Sequence, residues 1–373
     1  MKRYWNIYDK IRQIDNLKIA HRMARKDKAL YKEVQMVNSD EDYYLWKIQK
    51  LLKERKYFIN ADDYTVSTIR DKTKSRELWK LKYYPHRIIQ WAIMLQLEKI
   101  FENLFCDFVC ASVKNRGGNR VIKLMDEYMK DEEWTKYCLK IDIQKFYPSI
   151  NHRILKRLLR KKFKDKDLLA ILDMIIDSFP WKFGVPIWSY LSQFLANFYL
   201  AYFDHWMKEV LKCDYVIRYM DDIVVLDWSK KRLRYVYKRM KAYLGWNLGL
   251  KIKSNYQIFP TDVRWIDFVG YRYFHGYRLL RKRTCKRMKK KLRNCHWKKD
   301  HDRDLSEKER CRINSYAGWL CKCNSWRLYE KYIEPLIEIV IDYYCIYINS
   351  EQKKIQKFEK KIRKLKGRKF YIY

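Results

Sequence analysis

Two adjacent aspartates lie between two short apolar runs in the middle of the chain. Residues 215–218 and 223–226 are rich in Val and Ile, which is typical of strands, so residues 219–222 (Tyr-Met-Asp-Asp) are predicted to form the tight turn of a β-hairpin. The neighbouring carboxylates of Asp221 and Asp222 repel each other, and a cation between them would remove that cost. Mg²⁺ prefers carboxylate oxygens and bridges substrate phosphates. The pair is therefore a candidate metal site, with a solvated turn as the alternative.

A third acid lies upstream, near the end of another predicted strand. That strand spans residues 137–143 and contains Asp142, and Asn151 then has the position of an N-cap for a basic amphipathic helix beginning at His152. One acid at a strand end and two on a hairpin turn can converge on a pair of metal ions. Two-metal sites stabilise the attacking and leaving oxygens of an in-line phosphoryl displacement. The three acids therefore indicate phosphoryl transfer, here by a 3′-hydroxyl onto an α-phosphate.

The order of these motifs resembles that of reverse transcriptases. Asp142 matches the family's first catalytic aspartate, and residues 219–222 match its YxDD box. The resemblance extends from about Ser67 to Arg283, more than half of the chain. Within the family, the chain is most similar to the bacterial and phage group that includes diversity-generating retroelements. The most similar stretches are residues 139–152, 184–200, 219–225 and 266–281.

The resemblance implies an α+β right-hand polymerase with fingers, palm and thumb. Residues 1–60 are then a helical N-terminal extension, residues 61–274 the fingers and palm, and residues 275–373 a basic helical thumb and tail. The implied activity is RNA-directed DNA synthesis with two Mg²⁺ ions, for which Mn²⁺ is a substitute. We expect the following groups to hold the metals: Asp142, Asp221, Asp222 and the backbone of Ile143.

The resemblance also suggests residues that hold the incoming nucleotide. Lys74 and Arg76 lie on the segment similar to the fingers hairpin, where Arg can grip phosphate with two donors; a solvated basic loop is the alternative. Tyr147, five residues after Asp142, matches an aromatic ring that lies under the sugar and would clash with a 2′-hydroxyl. Its alternative is a buried core position.

The segment beginning at Gly184 matches the floor of the nucleotide pocket. Ser192 and Gln193 match the family's bacterial form, and Ile187 matches the apolar residue that replaces a retroviral-type Gln in retroelement relatives. Trp188 departs from the pattern, which has Gly there. Ile can pack but cannot hydrogen-bond, so we expect Ile187 to lower fidelity, and Trp188 to alter it further.

Candidate primer and template contacts are spread along the chain. Arg87 matches an arginine that serves fingers packing or template contact. Arg116 lies in a basic loop whose glycines let the backbone approach a phosphate, although an ordinary turn is the favoured explanation of this loop. The remaining candidates are the primer-grip residues and the start of a cationic helix: Phe268, Gly270, Tyr271, Arg281, Lys282 and Arg283. Lys251 or Lys253 is the candidate proton donor to pyrophosphate.

The charge balance points to a polyanionic partner. The chain has 83 Lys and Arg against 44 Asp and Glu, a formal net charge of +39, and 17% aromatic residues, many of them among the basic ones. This mixture suits phosphate contacts and base stacking, although Lys-rich composition alone also produces basic proteins. The partners expected are template RNA, the cDNA–RNA hybrid, dNTPs, and a small accessory protein or structured noncoding RNA. No dinucleotide fingerprint or P-loop motif occurs.

The cysteines and the absence of long apolar runs predict a cytoplasmic protein without a membrane span. No apolar segment follows the charged N-terminus, and the ten cysteines are typical of reduced thiols in that setting. Several late cysteines surround His296 without a C-x-x-C pair, so buried thiols are favoured over a zinc site.

Three functional interpretations remain for the chain. The first is a diversity-generating retroelement enzyme that uses a structured template RNA and a small accessory protein. The second is an antiphage-defence or retron-like reverse transcriptase that uses a noncoding RNA. The third is a catalytically silent RNA-binding scaffold, against which the intact acid triad argues.

Overall fold

The computed structural model describes residues 3–71, 74–179, 182–186 and 189–337, with side chains for all of these except residues 69–71 and 74–76. The chain divides into two compact units: Met1–Val121 with Leu139–Ile258, and Ile122–Cys138 with Phe259–Tyr373. These units are defined by compactness, whereas the three regions predicted from the sequence are defined by function. The functional division therefore stays a prediction.

The first unit begins with four helices, which confirms the helical nature predicted for residues 1–60. Apolar residues three and four apart, such as Leu45, Ile48 and Leu52, are fully buried, while the opposite faces carry exposed charges. The Asp40 side chain caps the last of these helices by accepting a hydrogen bond from the Tyr43 amide. The helices are α1 (Tyr8–Ile11), α2 (Ile14–Ala24), α3 (Lys32–Ser39) and α4 (Glu41–Lys53).

A two-stranded hairpin follows, as predicted for the fingers. Strands β1 (Tyr64–Asp71) and β2 (Lys74–Leu81) pair antiparallel over their whole length. A π-helical turn at Tyr83–Arg87 then leads into helix α5 (Ile88–Glu102). Within that turn Tyr84 alone has an extended backbone, with φ −102° and ψ 131°.

A four-stranded sheet carries the predicted acids. Its spatial order is β4–β5–β3–β6, in which the hairpin β4–β5 pairs antiparallel from Tyr215↔Leu226 to Tyr219↔Asp222. The central residues of β4 and β5 are all buried rather than alternately exposed, as in a sheet covered on both faces. The strands are β3 (Tyr137–Asp142), β4 (Tyr215–Tyr219), β5 (Asp222–Asp227) and β6 (Gln257–Pro260).

Helices connect and cover these strands. Asn151 and Asp165 cap two of them by accepting hydrogen bonds from the amides of Ile154 and Leu168, so the N-cap predicted at Asn151 is confirmed. The helices are α6 (Gly117–Tyr128), α7 (Phe146–Ser149), α8 (His152–Lys162), α9 (Lys166–Asp177), α10 (Tyr190–Glu209) and α11 (Lys230–Leu248). Helix α10 is buried along most of its length and forms the core of the first unit.

The second unit contains a small antiparallel sheet and basic helices. Gly270, at φ 89°, lies against the ring of Trp319, where an added Cβ would come within 2.3 Å of the indole, so only glycine fits. Ser306 and Glu309 form a capping box at the start of the second helix. The elements are β7 (Ile266–Phe268), β8 (Tyr271–Tyr273), β9 (Arg278–Leu280), α12 (Lys282–Asp300), α13 (Glu307–Leu320) and α14 (Trp326–Tyr332). The predicted basic tail from Glu351 lies outside the described residues.

The described part of the chain contains no helix long and apolar enough to cross a membrane. The nine cysteines that the structure describes are free thiols, and seven of them are buried. No group of three or more His, Cys or acidic side chains that could hold a zinc ion occurs among the described residues.

Candidate active site

Backbone hydrogen bonds bring the end of β3 to the turn of the β4–β5 hairpin. The Ile143 amide donates to the Asp221 carbonyl over 3.1 Å, and the Lys253 amide donates to the Asp142 carbonyl over 2.9 Å. Asp142 therefore lies between the hairpin turn on one side and the segment leading to β6 on the other. The structure confirms the predicted strand end and hairpin turn, and it brings all three acids to one edge of the sheet.

The electrostatics of Asp222 show how close the three carboxylates are. Burial and, after it, the negative charges of Asp142 and Asp221 raise the pKa of Asp222, while the ammonium groups of Lys140 and Lys253 oppose the rise; the net result is a pKa of about 6. A cation bound beside this carboxyl group would lower its pKa again. Such a perturbed acid is characteristic of a functional site.

Lys253 supplies the positive charge nearest to Asp142. Its ammonium forms an ion pair with Asp142 Oδ1, while that buried oxygen accepts no hydrogen bond of normal geometry. The sequence left Lys251 and Lys253 as alternatives, and the structure brings the side chain of Lys253 to the acids. Lys251 uses its carbonyl to accept a hydrogen bond from the Gln144 amide.

The donor set fits a divalent cation. The described residues contain no preformed cluster of three metal-ligating side chains, so the acids are not yet gathered into a coordination sphere. Asp142, Asp221 and Asp222 nevertheless offer only carboxylate oxygens, which suit hard cations such as Mg²⁺ or Mn²⁺ rather than zinc. Asp142 Oδ1 is buried and already paired with a cation, the Lys253 ammonium, which fits an oxygen that would ligate a metal.

A buried arginine holds the turn that presents the two hairpin acids. Arg218 is fully buried; its Nε and Nη2 donate to the carboxylate of Asp204, and its Nη1 donates to the Asn197 side chain and to the Met220 carbonyl, both over 3.0 Å. Met220 has φ 56°, an uncommon conformation for a residue with a side chain. The network fixes this strained residue, which directly precedes Asp221.

Arg218, Asp204 and Asn197 were not among the residues predicted for the site. A signal was present, because Arg218 lies within an apolar strand and Asp204 within an apolar helix. Buried charges must be paired, so one such residue predicts another of opposite charge nearby. Burial raises the pKa of Asp204, and the facing guanidinium of Arg218 opposes that rise.

Tyr147 contacts the same turn. Its hydroxyl lies 3.7 Å from the Met220 sulfur, and its ring is half-buried. Burial raises the pKa of Tyr147, and the charge of Asp221 raises it further. The structure thus places Tyr147 beside the turn that carries Asp221 and Asp222, and its place under the incoming sugar stays a prediction.

The predicted floor of the nucleotide pocket is described only in part. Ser192 is buried in the first turn of α10, and Gln193 accepts a hydrogen bond from the Ser112 hydroxyl over 3.1 Å. Ile187 and Trp188 lie outside the described residues. Lys74 and Arg76 belong to β2, but their side chains also lie outside the described part.

Arg87 and Arg116 differ in what they offer to a nucleic acid. Arg87 lines a small cavity between the fingers hairpin and α10, together with Trp91 and Tyr190. The Nη1 of Arg116 instead donates to the carbonyls of Cys106 and Val109, over 2.6 and 2.9 Å. Arg116 therefore holds its own loop together, which supports the ordinary-turn interpretation.

In the second unit, the predicted primer-grip side chains point inward. Phe268 and Tyr271 are buried, and the Tyr271 hydroxyl donates to the Trp319 carbonyl over 3.1 Å. A nucleic acid at this hairpin would thus meet its backbone rather than these rings. Arg281 forms an ion pair with Asp267, whereas Lys282 and Arg283 are exposed at the start of α12.

Comparison with known proteins agrees with this geometry. The family model described as reverse transcriptase (RNA-dependent DNA polymerase) matches residues 69–273, more than half of the chain. No curated protein matches the sequence significantly.

Solved structures show a similar fold at low sequence identity. One is telomerase from Candida albicans in complex with a fragment of telomeric RNA, with 11% identity and a TM-score of 0.51, covering 87% of this chain and 64% of that chain. Apo telomerase from Candida tropicalis, also 11% identical, has a TM-score of 0.47, covering 89% of this chain and 66% of that one. The chain thus spans less than two thirds of these telomerases, and the likeness concerns the fold alone.

The matched residues include β3, the hairpin and the predicted primer-grip strands, and the mixed helix and sheet architecture is that of an α+β polymerase. Members of the matching family are nucleotidyltransferases that use divalent metal ions. The chain belongs to the reverse transcriptase (RNA-dependent DNA polymerase) family.

Proposed function

We propose that the protein copies a structured template RNA into cDNA by Mg²⁺-dependent nucleotidyl transfer. The observation that carries this proposal is the meeting of Asp142 with the Asp221–Asp222 turn, where the pKa of Asp222 is raised to about 6. An acid triad of this kind has no structural benefit without a cation, because the carboxylates destabilise one another. The family membership supports polymerisation as its use.

The three carboxylates are assigned to the metals. Two divalent ions would stabilise the charge on the attacking and leaving oxygens. Lys253, whose ammonium pairs with Asp142, is assigned as the proton donor to the departing pyrophosphate.

The substrates assigned to the site are dNTPs and an RNA template. Tyr147 beside Met220 supports the choice of deoxynucleotides, because a 2′-hydroxyl would meet its ring. Lys74, Arg76, Ser192 and Gln193 remain the predicted nucleotide contacts. The exposed cations of α12 remain the predicted contacts to the template–primer duplex.

A direct test is primer extension on a defined RNA template with dNTPs and Mg²⁺. We expect extension by the wild-type protein and none by Asp221→Asn, with EDTA abolishing the activity of the wild type. RNA that co-purifies with the protein should be sequenced together with its cDNA. A protein that binds RNA but never extends a primer would instead be the catalytically silent scaffold.

The element type proposed first is a diversity-generating retroelement, with an antiphage-defence or retron-like enzyme as the alternative. Its support is the sequence resemblance at Ile187, because an apolar residue there removes a polar contact to the nascent pair. Losing one such contact weakens discrimination by about 1 kcal/mol, which is several-fold in error rate. The accessory protein and the cytoplasmic location belong to the same proposal.

Deep sequencing of cDNA made on a defined RNA separates these element types. Wild type, Ile187→Gln and Trp188→Gly should be compared, and we expect errors concentrated at template adenines in the wild type and reduced in Ile187→Gln. Low errors at all four template bases in the wild type would favour the defence or retron-like enzyme.

A further inference from the structure

Helix α11 (Lys230–Leu248) carries a row of unpaired cations on its outer side. The helix contains seven Lys and Arg residues and no acid. Its buried side consists of Leu233, Val236, Met240, Leu244 and Leu248. The opposite side exposes a stripe with spacings of three and four residues, namely Lys231, Arg234, Lys238 and Lys241.

These four cations have no acidic partner among the residues that the structure describes. Arg232, near the start of α11, does form an ion pair, with Asp227, but it is not one of the four stripe cations. Ten residues of helix extend about 15 Å, so the stripe is a linear array of positive charge. Such an array repels itself, and a polyanion lying along it removes the repulsion.

Two large aromatic side chains lie beside the stripe. Tyr235 and Trp246 are 55% and 87% exposed, which is unusual for rings of this size. They are separated by eleven residues, three turns of helix, and therefore lie on one side of α11. Cations next to exposed rings are the combination by which proteins hold single-stranded nucleic acid.

A groove adjoins the C-terminal end of α11, where Asn247 and Leu248 line it directly after Trp246. It lies between α8, α10 and α11, has a volume of about 320 Å³, and is lined by aromatic rings, by the cations Arg157 and Lys161 and by His205 and Glu209. The rings are Tyr202, Trp206 and Tyr243. The Tyr199 hydroxyl donates to the Leu248 carbonyl over 2.5 Å and accepts from the Asn151 amide over 3.4 Å, so the three helices that form the groove are tied together.

The surface is separate from the candidate active site. Ser229, the N-cap of α11, follows the end of β5 opposite to the catalytic turn, and β5 is about 17 Å long. The apolar side of α11 packs toward β5 and α10. The stripe, on the opposite side of the helix, is therefore turned away from the sheet that carries the acids.

We propose that the outer face of α11 and the adjoining groove form a second site that binds single-stranded RNA, called here the α11 surface. Phosphates lie along the four cations, and unstacked bases pack on Tyr235, Trp246 and the rings of the groove. Its role, to hold a part of the template RNA outside the catalytic cleft, rests on the proposed polymerase function. The binding itself does not.

The first test measures RNA binding without nucleotides and in EDTA. The affinity for a short unstructured RNA is measured by anisotropy at increasing salt concentrations, for the wild-type full chain and for a stripe variant. The stripe variant replaces the four stripe cations: Lys231→Gln, Arg234→Gln, Lys238→Gln and Lys241→Gln. A matched control removes the same charge from exposed positions of the N-terminal helices and of the turn after α2: Lys10→Gln, Arg22→Gln, Lys26→Gln and Lys32→Gln. Loss of four contacts should flatten the log–log salt slope by about 3 and lower affinity at least about tenfold at low salt.

The control variant should keep the wild-type slope. Equal slopes for the two variants would overturn the proposal. Trp246→Leu should weaken binding of single-stranded RNA but not of duplex RNA, and equal loss for both would remove the stacking role. If the stripe variant unfolds, cross-linking of the wild type to thiouridine-containing RNA decides: we expect a cross-linked peptide from α11, and cross-links confined to other helices contradict the proposal.

The failure of this inference is distinguishable from failure of the proposed function. Asp221→Asn should bind RNA as the wild type does while losing primer extension. The stripe variant should extend a short RNA–DNA primer–template normally while losing affinity for single-stranded RNA. Loss of primer extension with intact RNA binding thus identifies a defect of the candidate active site. Loss of RNA binding with intact primer extension identifies a defect of the α11 surface.

Discussion

At the scale of single residues, the candidate site is built from charges that oppose one another in the metal-free protein. Asp222 has a pKa raised to about 6 by burial and by its two acidic neighbours, and Lys253 is held by Asp142. An arrangement of this kind is costly in the free protein and favourable once cations bind. Function, rather than stability, explains why these residues meet.

Removing single carboxylates tests the metal assignment. We expect Asp142→Asn or Asp221→Asn to reduce primer extension by at least roughly 10³-fold, about 4 kcal/mol of barrier, because each loses a charged metal ligand. Asp222→Asn should lose somewhat less, since its neighbour Asp221 can still hold a metal. The measurement is single-turnover extension, with circular dichroism as the check on folding. Near wild-type extension by Asp221→Asn would refute the two-metal assignment.

The raised pKa of Asp222 predicts that Asp222→Asn stabilises the metal-free protein. Below about pH 4 the carboxyl is protonated in both folded and unfolded chains, so the substitution has no effect. Between about pH 4 and about pH 6 the unfolded chain releases the proton first, and the wild type loses stability as the pH rises. Above about pH 6 the variant should be more stable by about 3 kcal/mol.

Denaturant unfolding in EDTA across this pH range measures that difference. A matched control is Asp173→Asn, whose carboxylate is paired with Arg160 and should not gain stability. Added Mg²⁺ should stabilise the wild type more than Asp222→Asn, because only binding to the folded state shifts unfolding. A variant no more stable than the wild type at neutral pH would contradict the electrostatic description of the site.

Tyr147 tests sugar selection. Its hydroxyl contacts the Met220 sulfur, so Tyr147→Ala opens space beside the turn. We expect the ratio of kcat/KM for dNTPs over rNTPs to fall, because the clash with a 2′-hydroxyl is removed. Tyr147→Phe keeps the ring and is the matched control. An unchanged ratio in Tyr147→Ala would return Tyr147 to a purely structural role.

At the scale of elements, the β4–β5 hairpin depends on a helix for its geometry. Strand β4 contributes Arg218, and α10 contributes both Asp204 and Asn197, which hold the guanidinium under the turn. The hairpin turn is therefore fixed from beneath by α10. Arg218 is a positioning residue for Asp221, since it acts through the Met220 carbonyl.

A double-mutant cycle separates the stability of this pair from its positioning role. Arg218→Met leaves Asp204 buried and unpaired and should cost about 3–5 kcal/mol of unfolding free energy. Arg218→Met with Asp204→Leu should recover most of that stability, because no charge remains buried. Primer extension should nevertheless stay low, since the Met220 carbonyl has lost its donor. Recovery of activity together with stability would show that the pair has only a structural role.

At the scale of the whole molecule, the net charge of +39 is distributed over several surfaces. Helix α12 exposes cations such as Lys286 and Arg287, while Arg281 is partly neutralised by Asp267. Helix α11 exposes a second set. The protein is thus expected to meet nucleic acid on more than one face.

Salt dependence tests the duplex-binding role of α12. Six or so phosphate contacts on a B-form duplex would give a log–log slope of about −5. Replacing Arg281, Lys282, Arg283, Lys286 and Arg287 by Gln should flatten that slope, with Arg281 contributing least because of its ion pair. The α11 stripe variant, which carries a similar charge loss, is the control. If the slope on duplex is unchanged, the duplex-binding face lies elsewhere.

Local pattern determined the elements of this protein and the order of its motifs. The hairpin at residues 215–226, the strand ending at Asp142, and the helix capped by Asn151 were all predictable, because periodicity, turn residues and caps act over a few neighbouring residues. The family was also predictable, since its acids occur in a fixed order along the chain.

Only the tertiary structure decided which side chains meet. In the structure, Lys253 rather than Lys251 pairs with Asp142. Arg116 donates to a carbonyl of its own loop, and Arg218 lies beneath the turn of the β4–β5 hairpin. These outcomes depend on which side chains of different segments come into contact. A shift of one residue in strand pairing would change those contacts. Local propensity contains no term for such contacts, so packing and burial determine them.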